Sequence, residues 1–162
     1  AADSELAVLR KLKLESPLLE SLAAQLRLKQ KDGPGALKIL QAASSRYPHA
    51  RALTYALIEA KLGVGGVALN EALTLTQKEL LLTPGDARLH ALQAKTYALL
   101  GRRLQQHRAQ AEAYMAEGQL DAAILQLELA RKTGDGDFYE QSQADARLRE
   151  LKQRKMEEMR RR

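Results

Sequence analysis

The chain has 162 residues, a formal net charge of +6, no Cys and few aromatic residues. This length allows one ordinary domain with a buried core, and the lack of Cys excludes disulfide and thiolate chemistry while leaving the cellular compartment open. Ala, Leu, Gln, Glu, Lys and Arg are abundant, and no segment alternates apolar and polar residues over the length of a strand. Because these residue types lose little rotamer freedom in a helix, the composition predicts an all-α fold.

The basic charge is concentrated at one end. Residues 147–162 contain eight basic and three acidic residues, so this segment carries +5 of the net +6 and leaves the rest nearly neutral. No basic stripe with interleaved aromatic residues, typical of nucleic-acid binders, is present, and a basic helix C-terminus suits the helix dipole. Nucleic-acid binding is therefore disfavoured.

Neither a membrane-spanning helix nor a signal peptide is expected. The longest stretch without a charged residue, 62–70, is far shorter than the roughly 18 residues that a transmembrane helix needs. Residues 1–4 show no basic segment leading into an apolar one.

Gly and Pro divide the chain at regular intervals into segments with helical periodicity. We predict helices over 17–31, 34–46, 50–62, 66–82, 86–100, 103–117, 120–133 and 138–160, with a short leading helix near 4–14. Ser16 before Pro17 matches an N-cap followed by a first helical residue. Gly63, Gly101 and Gly118 are predicted to follow helix C-termini with positive φ.

Two helices show how the elements pack. Over 120–133, one apolar stripe is flanked by polar residues, as expected of a helix with one buried side. Over 86–100, Leu89, Leu92, Thr96 and Leu99 occupy one side, and Ala94 and Tyr97 occupy another. A helix with two such sides is predicted to lie between neighbours in a stack.

The spacing matches tetratricopeptide (TPR) repeats, which are helix pairs of about 34 residues with small residues at the helix crossing. The repeat-packing positions are Ala24, Ala36, Ala43, Pro48, Pro84, Ala94, Tyr97, Gly101, Ala111, Tyr114, Gly118, Ala123 and Ala130. We therefore predict a TPR-like, right-handed superhelical solenoid of about eight or nine antiparallel helices. Gly101 and Gly118 are only half a repeat apart, so helix 103–117 either closes one unit or opens the next.

No catalytic or metal-binding constellation is visible. His49, His90 and His107 are scattered, no H-E-x-x-H motif occurs, and His107 is predicted to be a hydrogen-bonded core or groove residue. The segment 133–137 lacks the ligand spacing of a calcium loop, so Asp137 is better explained as a helix cap. The glycine-rich loop 63–66 has no Lys-Ser/Thr and follows no strand, which argues against phosphate binding.

The concave side of a helical stack is the remaining candidate surface, since it can receive an extended or helical segment of another protein. First-helix positions between the packing residues are predicted to point into it. The candidate partner-binding residues are Gln25, Lys95, Arg108, Glu112 and Met115.

The stretch from Gln106 onward also has a more specific pattern. His107-Arg-Ala-Gln-Ala-Glu-Ala-Tyr, Gly118-Gln-Leu-Asp-Ala-Ala-Ile-Leu-Gln-Leu, Gly136-Asp-Phe-Tyr-Glu-Gln-Ser and Ala146-Arg-Leu-Arg-Glu follow one another. This pattern resembles the C-terminal TPR region of BepA-type, β-barrel assembly-enhancing periplasmic zinc metalloproteases over about residues 80–151.

The resemblance implies a periplasmic location and partners among outer-membrane barrel proteins or their assembly machinery, together with the domain's own protease. The zinc-binding protease domain of that family is not in this chain, so the chain itself is expected to have neither enzymatic activity nor a cofactor. We divide the chain into a leading helix or linker (1–16), TPR-like repeats (17–136) and a C-terminal capping helix with a basic tail (137–162). The alternative function is that of a stand-alone TPR adaptor that binds a peptide in its concave groove.

Overall fold

A computed structural model describes residues 16–161, and every regular element within that range is an α-helix. The helices are α1 (Pro17–Lys29), α2 (Gly33–Arg46), α3 (Arg51–Val64), α4 (Val67–Leu82), α5 (Ala87–Leu99), α6 (Arg103–Ala116), α7 (Leu120–Ala130) and α8 (Phe138–Arg160). The all-α prediction is thus confirmed over the described range. The leading helix predicted near 4–14 lies outside the described residues.

The helix ends fall within three residues of the predicted positions, and local caps fix several of the N-termini. The Ser16 hydroxyl accepts a 3.3 Å hydrogen bond from the backbone N–H of Leu19, as expected of an N-cap. At the start of α8, Asp137 accepts from the N–H of Glu140, and the Glu140 side chain accepts from the N–H of Asp137. This reciprocal capping box confirms the capping role predicted for Asp137.

The predicted glycine geometry is confirmed at two of three positions. Gly101 and Gly118 have φ of 73° and 75°, which glycine adopts without steric cost. Gly63 was wrongly predicted, because α3 continues to Val64 and the positive φ falls on Gly65 and Gly66 instead. Residues 63–66 contain three glycines, and the helix could end at any of them. The sequence alone did not indicate which one ends it.

The chain forms two compact units, with the division inside α4, between Ala72 and Leu73. In the first unit, α2 packs against α1 and α3, and α1 also touches α3. Ala24, Ala36 and Leu40 are fully buried there, so small residues let the helix backbones approach while Leu40 fills the adjoining space.

In the second unit, α6 packs against both α5 and α7, α7 packs against α8, and α6 also touches α8. Ala111 of α6 lies in one buried cluster with Ala123 and Leu127 of α7, and α8 adds Leu148 and Leu151. These positions are the small-small-large register of one repeat. The structure therefore favours the interpretation that α6 opens a helix pair which α7 closes.

The predicted packing residues divide into two groups. Every predicted alanine is buried: Ala24, Ala36, Ala43, Ala94, Ala111, Ala123 and Ala130. Tyr97 and Tyr114 are half-buried, whereas Pro48, Pro84, Gly101 and Gly118 are exposed. The last four were wrongly assigned to packing, because they lie in the turns between helices, where they end helices without filling a helix interface.

Both predicted sides of α5 are buried except at Tyr97, which is half-buried, and at Leu99. Leu89, Leu92, Thr96 and Ala94 are buried, and the Thr96 hydroxyl donates to the Leu92 carbonyl at 2.8 Å. Leu99 is 57% exposed, because it lies in the last residue of α5, beyond the part of the helix that its neighbours cover.

Candidate functional site

A concavity lies wholly within the second unit, between α5, α6 and α8. It has a volume of about 550 Å³. Most of the residues that line it have polar side chains, although apolar atoms contribute about as much of its surface as polar ones. The lining residues are His90, Gln93, Tyr97, Gln105, Arg108, Ala109, Glu112, Leu127, Gln143, Ala146, Arg147 and Glu150. We call this the α5–α6–α8 pocket. Its size is that of a site for a few side chains of a partner segment.

Two polar connections join α6 to α8 along the pocket. Near its start, the Gln105 amide donates to a carboxylate oxygen of Glu140. Two helical turns later, Arg147 is bound to Glu112. Residue numbers increase in the same direction along both helices at these two connections, so α6 and α8 run parallel here, and residues seven apart return to the same side of each helix.

The Arg147–Glu112 connection is bidentate. The Arg147 Nε and Nη2 atoms donate to Oε1 and Oε2 of Glu112 at 2.8 and 2.7 Å, and Nη1 donates to Glu150 at 2.7 Å. The hydrogen bonds to Glu112 raise the pKa of Arg147 above its ordinary value, outweighing the effect of burial, which lowers it. Arg147 is therefore a permanently charged group whose donors already face two carboxylates.

Between these two connections, Arg108 of α6 and Gln143 of α8 face the pocket. Arg108 follows Gln105 by three residues, and Gln143 follows Glu140 by three residues. The two side chains therefore lie at the same height along the parallel helices, which we call a level of the pocket. Arg108 donates to Gln105 Oε1 at 3.3 Å, and within residues 16–161 no carboxylate pairs with its guanidinium. Ala109 and Ala146, which also line the pocket, have no long side chain to fill the space at this level.

The α5 wall contributes an imidazole and a phenol. His90 Nε2 lies 2.8 Å from the Pro84 carbonyl oxygen, which can only accept, so this nitrogen donates. The Nδ1 atom of His90 is buried and makes no hydrogen bond within the described residues. Tyr97 faces the same pocket, and its hydroxyl lies 3.5 Å from the Gln77 amide nitrogen.

The connection between α7 and α8 fixes where α8 begins relative to α6. Asp135 accepts hydrogen bonds from the backbone N–H groups of Arg103 and Leu104, at 2.5 and 2.9 Å, and so caps α6, which has no cap of its own. Gly136 follows, and a Cβ atom built there would lie 2.5 Å from Leu104 Cδ1. Only glycine lets the chain pass this close to Leu104, which is itself buried.

The predicted partner-binding residues are not all brought together. Arg108 and Glu112 line the pocket, although Glu112 is held by Arg147. Lys95 is exposed but lies two residues from Gln93 and from Tyr97, on the other side of α5. Met115 packs against the buried α6–α7–α8 cluster. Gln25 is an exposed residue of α1 in the first unit.

Most of the pocket was not found from the sequence. On α6, the residues at positions 105, 108 and 112 follow helical spacing, so a search for one polar stripe would have added Gln105 to the candidates. The α8 residues Gln143 and Arg147 gave no such signal, because Arg147 belongs to the basic segment 147–162, for which the helix dipole is a sufficient explanation.

The basic residues of α8 instead hold the helix in place. Lys152 pairs with Glu128 of α7 at 2.6 Å, and Lys155 pairs with Asp121 of α7 at 2.7 Å. The Lys152 hydrogen bond lowers the pKa of Glu128. Arg147, Lys152 and Lys155 are thus paired with carboxylates of the same domain. This pairing weakens the argument that the basic residues of α8 form a nucleic-acid surface.

Other predicted features have structural explanations. His107 is half-buried, and its Nδ1 lies 2.8 Å from Gln126 Oε1, so the expected hydrogen-bonded histidine is confirmed. Over residues 16–161, the structure shows no group of three or more metal-binding side chains. No helix in the same range combines the length and apolar character needed to cross a membrane.

Comparison with known proteins supports the fold. No protein-family model matches the chain, and no curated protein matches it significantly. The chain is similar to the crystal structure of a thermophilic TPR protein from Thermus thermophilus, with 23% sequence identity and a TM-score of 0.53. The match covers 91% of this chain and 90% of that one. Together with the helices and buried alanines described above, this likeness shows that the chain has an all-α, TPR-like fold.

Proposed function

We propose that this chain is a protein-binding domain that holds a segment of a partner protein in the α5–α6–α8 pocket. The observation that carries the proposal is the pocket itself: three helices present amides, an imidazole, a phenol and an arginine around about 550 Å³. Such groups bind peptide carbonyls, amides and charged side chains. Helix-pair repeats commonly use a concave surface in this way.

A non-catalytic role accounts for the same residues better than an active site does. Arg147 and its two carboxylate partners are bound to one another, and Glu140 accepts from Gln105. The pocket's histidine donates to a backbone carbonyl, and no Ser or Thr is among the lining residues. No nucleophile-base pair is thus poised in the pocket.

Site-specific photo-crosslinking tests the binding role. A photoreactive residue at position 93 or 143 lies in the pocket, whereas one at position 95 lies on the other side of α5. We expect the same partner protein to be captured from positions 93 and 143 but not from 95. Capture from position 95 alone would show that a different face binds and would overturn the proposal.

A narrower proposal rests on the resemblance of residues 80–151 to BepA-type proteases. It holds that the domain works in the periplasm as the partner-binding part of a zinc metalloprotease and recruits outer-membrane barrel proteins or their assembly machinery. Zinc would then belong to the protease domain and not to this chain. The stand-alone adaptor, with no protease attached, is the alternative that the pocket supports equally well.

The coding sequence upstream of Ala1 separates these two proposals. The protease proposal requires an H-E-x-x-H helix encoded before it, since the two His of this motif, one helical turn apart, bind zinc and its Glu acts as the general base. An upstream sequence without this motif would sink the protease proposal and leave the adaptor.

A further inference from the structure

The facing sides of α6 and α8 form three successive levels in the pocket. The first level is closed by the Gln105–Glu140 hydrogen bond, and the third is closed by the Glu112–Arg147 ion pair. At the second level, Arg108 and Gln143 face the pocket, and within the described residues neither makes a hydrogen bond across it. These two contacts join α6 to α8 on either side of the middle level, which is left open.

The open level has an excess of donors. A guanidinium carries five N–H donors and no acceptor, and the bond from Arg108 to Gln105 uses one of them. The Gln143 amide adds two more donors. The lining carboxylates Glu112 and Glu150 both accept from Arg147, and neither is hydrogen-bonded to Arg108. A planar group with two acceptor oxygens and a negative charge is the best match for such a level.

We propose that the middle level of the α5–α6–α8 pocket binds the carboxylate of an acidic side chain, Asp or Glu, in the partner segment. This inference rests on the proposed function, because it names the chemistry that the same pocket selects. The guanidinium of Arg108 supplies the positive charge and paired N–H donors, and Gln143 supplies a further donor from the opposite helix. Ala109 and Ala146 leave room for the incoming side chain.

An acidic residue inside the segment fits better than a terminal carboxylate. Gln93 lies on α5 and Gln143 on α8, so amide groups line the pocket on either side of Arg108. A segment that continues in both directions can use both amides for its main-chain groups, whereas a chain ending at Arg108 would leave one of them without a partner. A basic side chain has no acceptor for the N–H groups of Arg108 and carries the same sign of charge, so it is disfavoured at this level.

The test is a selection of short random peptides displayed as fusions that have no free C-terminus. The intact 162-residue chain is compared with three variants. R108Q removes the guanidinium of Arg108 from the pocket. R149Q is the control and removes an exposed arginine of α8 that does not line the pocket. Ala146→Trp fills the pocket from an exposed position. Circular dichroism reports whether each variant keeps its helices.

We expect peptides selected by the wild type and by R149Q to share one acidic position, and Ala146→Trp to bind none of them. In amidated synthetic peptides, Glu→Gln at that position should weaken binding to the wild type about tenfold, which is typical of a hydrogen-bonded charge. The same Glu→Gln change in the peptide should alter its binding to R108Q by less than about twofold, because this variant lacks the guanidinium that would bind the carboxylate.

The alternative outcomes are distinct. Peptides that require the open pocket but share no acidic position, or share a basic one, would overturn this inference and leave the proposed function standing. A failure to select any peptide that Ala146→Trp excludes would overturn the proposed function as well. If R108Q does not fold, the Glu, Gln and Lys peptides measured against the wild type still decide the question.

Discussion

Asp135 and Leu104 lie 31 positions apart in the chain, yet the backbone N–H of Leu104 donates to Asp135 Oδ1 at 2.9 Å. The N–H of Arg103 donates to the other carboxylate oxygen, so one side chain satisfies two of the free amides at the start of α6. The same residue closes the connection that leads into α8. A helix cap therefore also sets the position from which α8 starts along the pocket.

Replacing Asp135 by Ala should lower the free energy of unfolding by about 1 kcal/mol, the usual cost of losing an N-cap. The measurement is urea unfolding followed by circular dichroism. The matched control is Asp121→Ala, which removes a more exposed carboxylate paired with Lys155 and should cost about 0.5 kcal/mol or less. Equal losses in both variants would show that Asp135 is not a structural cap.

The contribution of Asp135 should disappear in acid. Burial acts to raise its pKa, but the hydrogen bonds that its carboxylate accepts, among them those from the N–H groups of Leu104 and Arg103, outweigh burial, so the pKa in the folded state lies below its ordinary value. A carboxyl with a depressed pKa stabilises the fold above its unfolded-state pKa, and this stabilisation is lost as the pH falls through the folded-state value.

The difference in free energy of unfolding between wild type and Asp135→Ala should thus be constant near neutral pH and shrink below about pH 4. Unfolding by urea at several pH values measures this difference. Glu128, whose pKa is also lowered, titrates in both proteins and cancels from the comparison. A difference that grows in acid would contradict the predicted direction.

Gly136→Ala should destabilise the domain by about 1–3 kcal/mol, because the added methyl group would overlap Leu104 Cδ1. Leu104 is buried against Ala130 and Ala144 and has little room to move. The control is Gly85→Ala, where a Cβ atom meets nothing within 4 Å. In a Leu104→Ala background the cost of Gly136→Ala should fall, and an unchanged cost would place the clash elsewhere.

The first unit contains a buried ammonium that depends on one carboxylate. Lys61 is 6% exposed and pairs with Glu71 on α4. Glu71→Gln should cost about 1–3 kcal/mol, since it leaves a charged group to be buried with a weaker partner, whereas Lys61→Met should be close to neutral. Thermal unfolding of both variants measures this. A Lys61→Met loss as large as that of Glu71→Gln would mean that the ion pair itself is net stabilising.

Local features of this protein could be predicted from its sequence because their causes lie within a few residues. Ser16 and Asp137 cap the helices that follow them, and Gly101 and Gly118 end helices with positive φ. The buried alanines follow from the repeat spacing, since a small residue is needed wherever two helices cross. The wrong prediction at Gly63 also has a local cause. Residues 63–66 contain three glycines, and the packing of α3 determined which of them ends the helix.

The candidate site could be predicted only in part, because a helix face can be read from spacing but its partner cannot. Arg108 and Glu112 were found as polar positions on one helix. Their environment differs, since Glu112 is bound to Arg147, 35 positions later, and Arg108 is not paired with a carboxylate. Lys95 satisfied the same criterion of an exposed first-helix position, yet the rotation of α5 turns it away from the pocket.

The sequence by itself determined that the chain is helical, where its helices begin and end to within a few residues, and which alanines lie at their crossings, because turns, caps and periodicity act over distances of a few residues. Tertiary structure decided that α8 lies parallel to α6, that Asp135 caps a helix from 31 positions away, and that two of the three levels between α6 and α8 are closed. These features depend on side chains that meet only after the helices have packed.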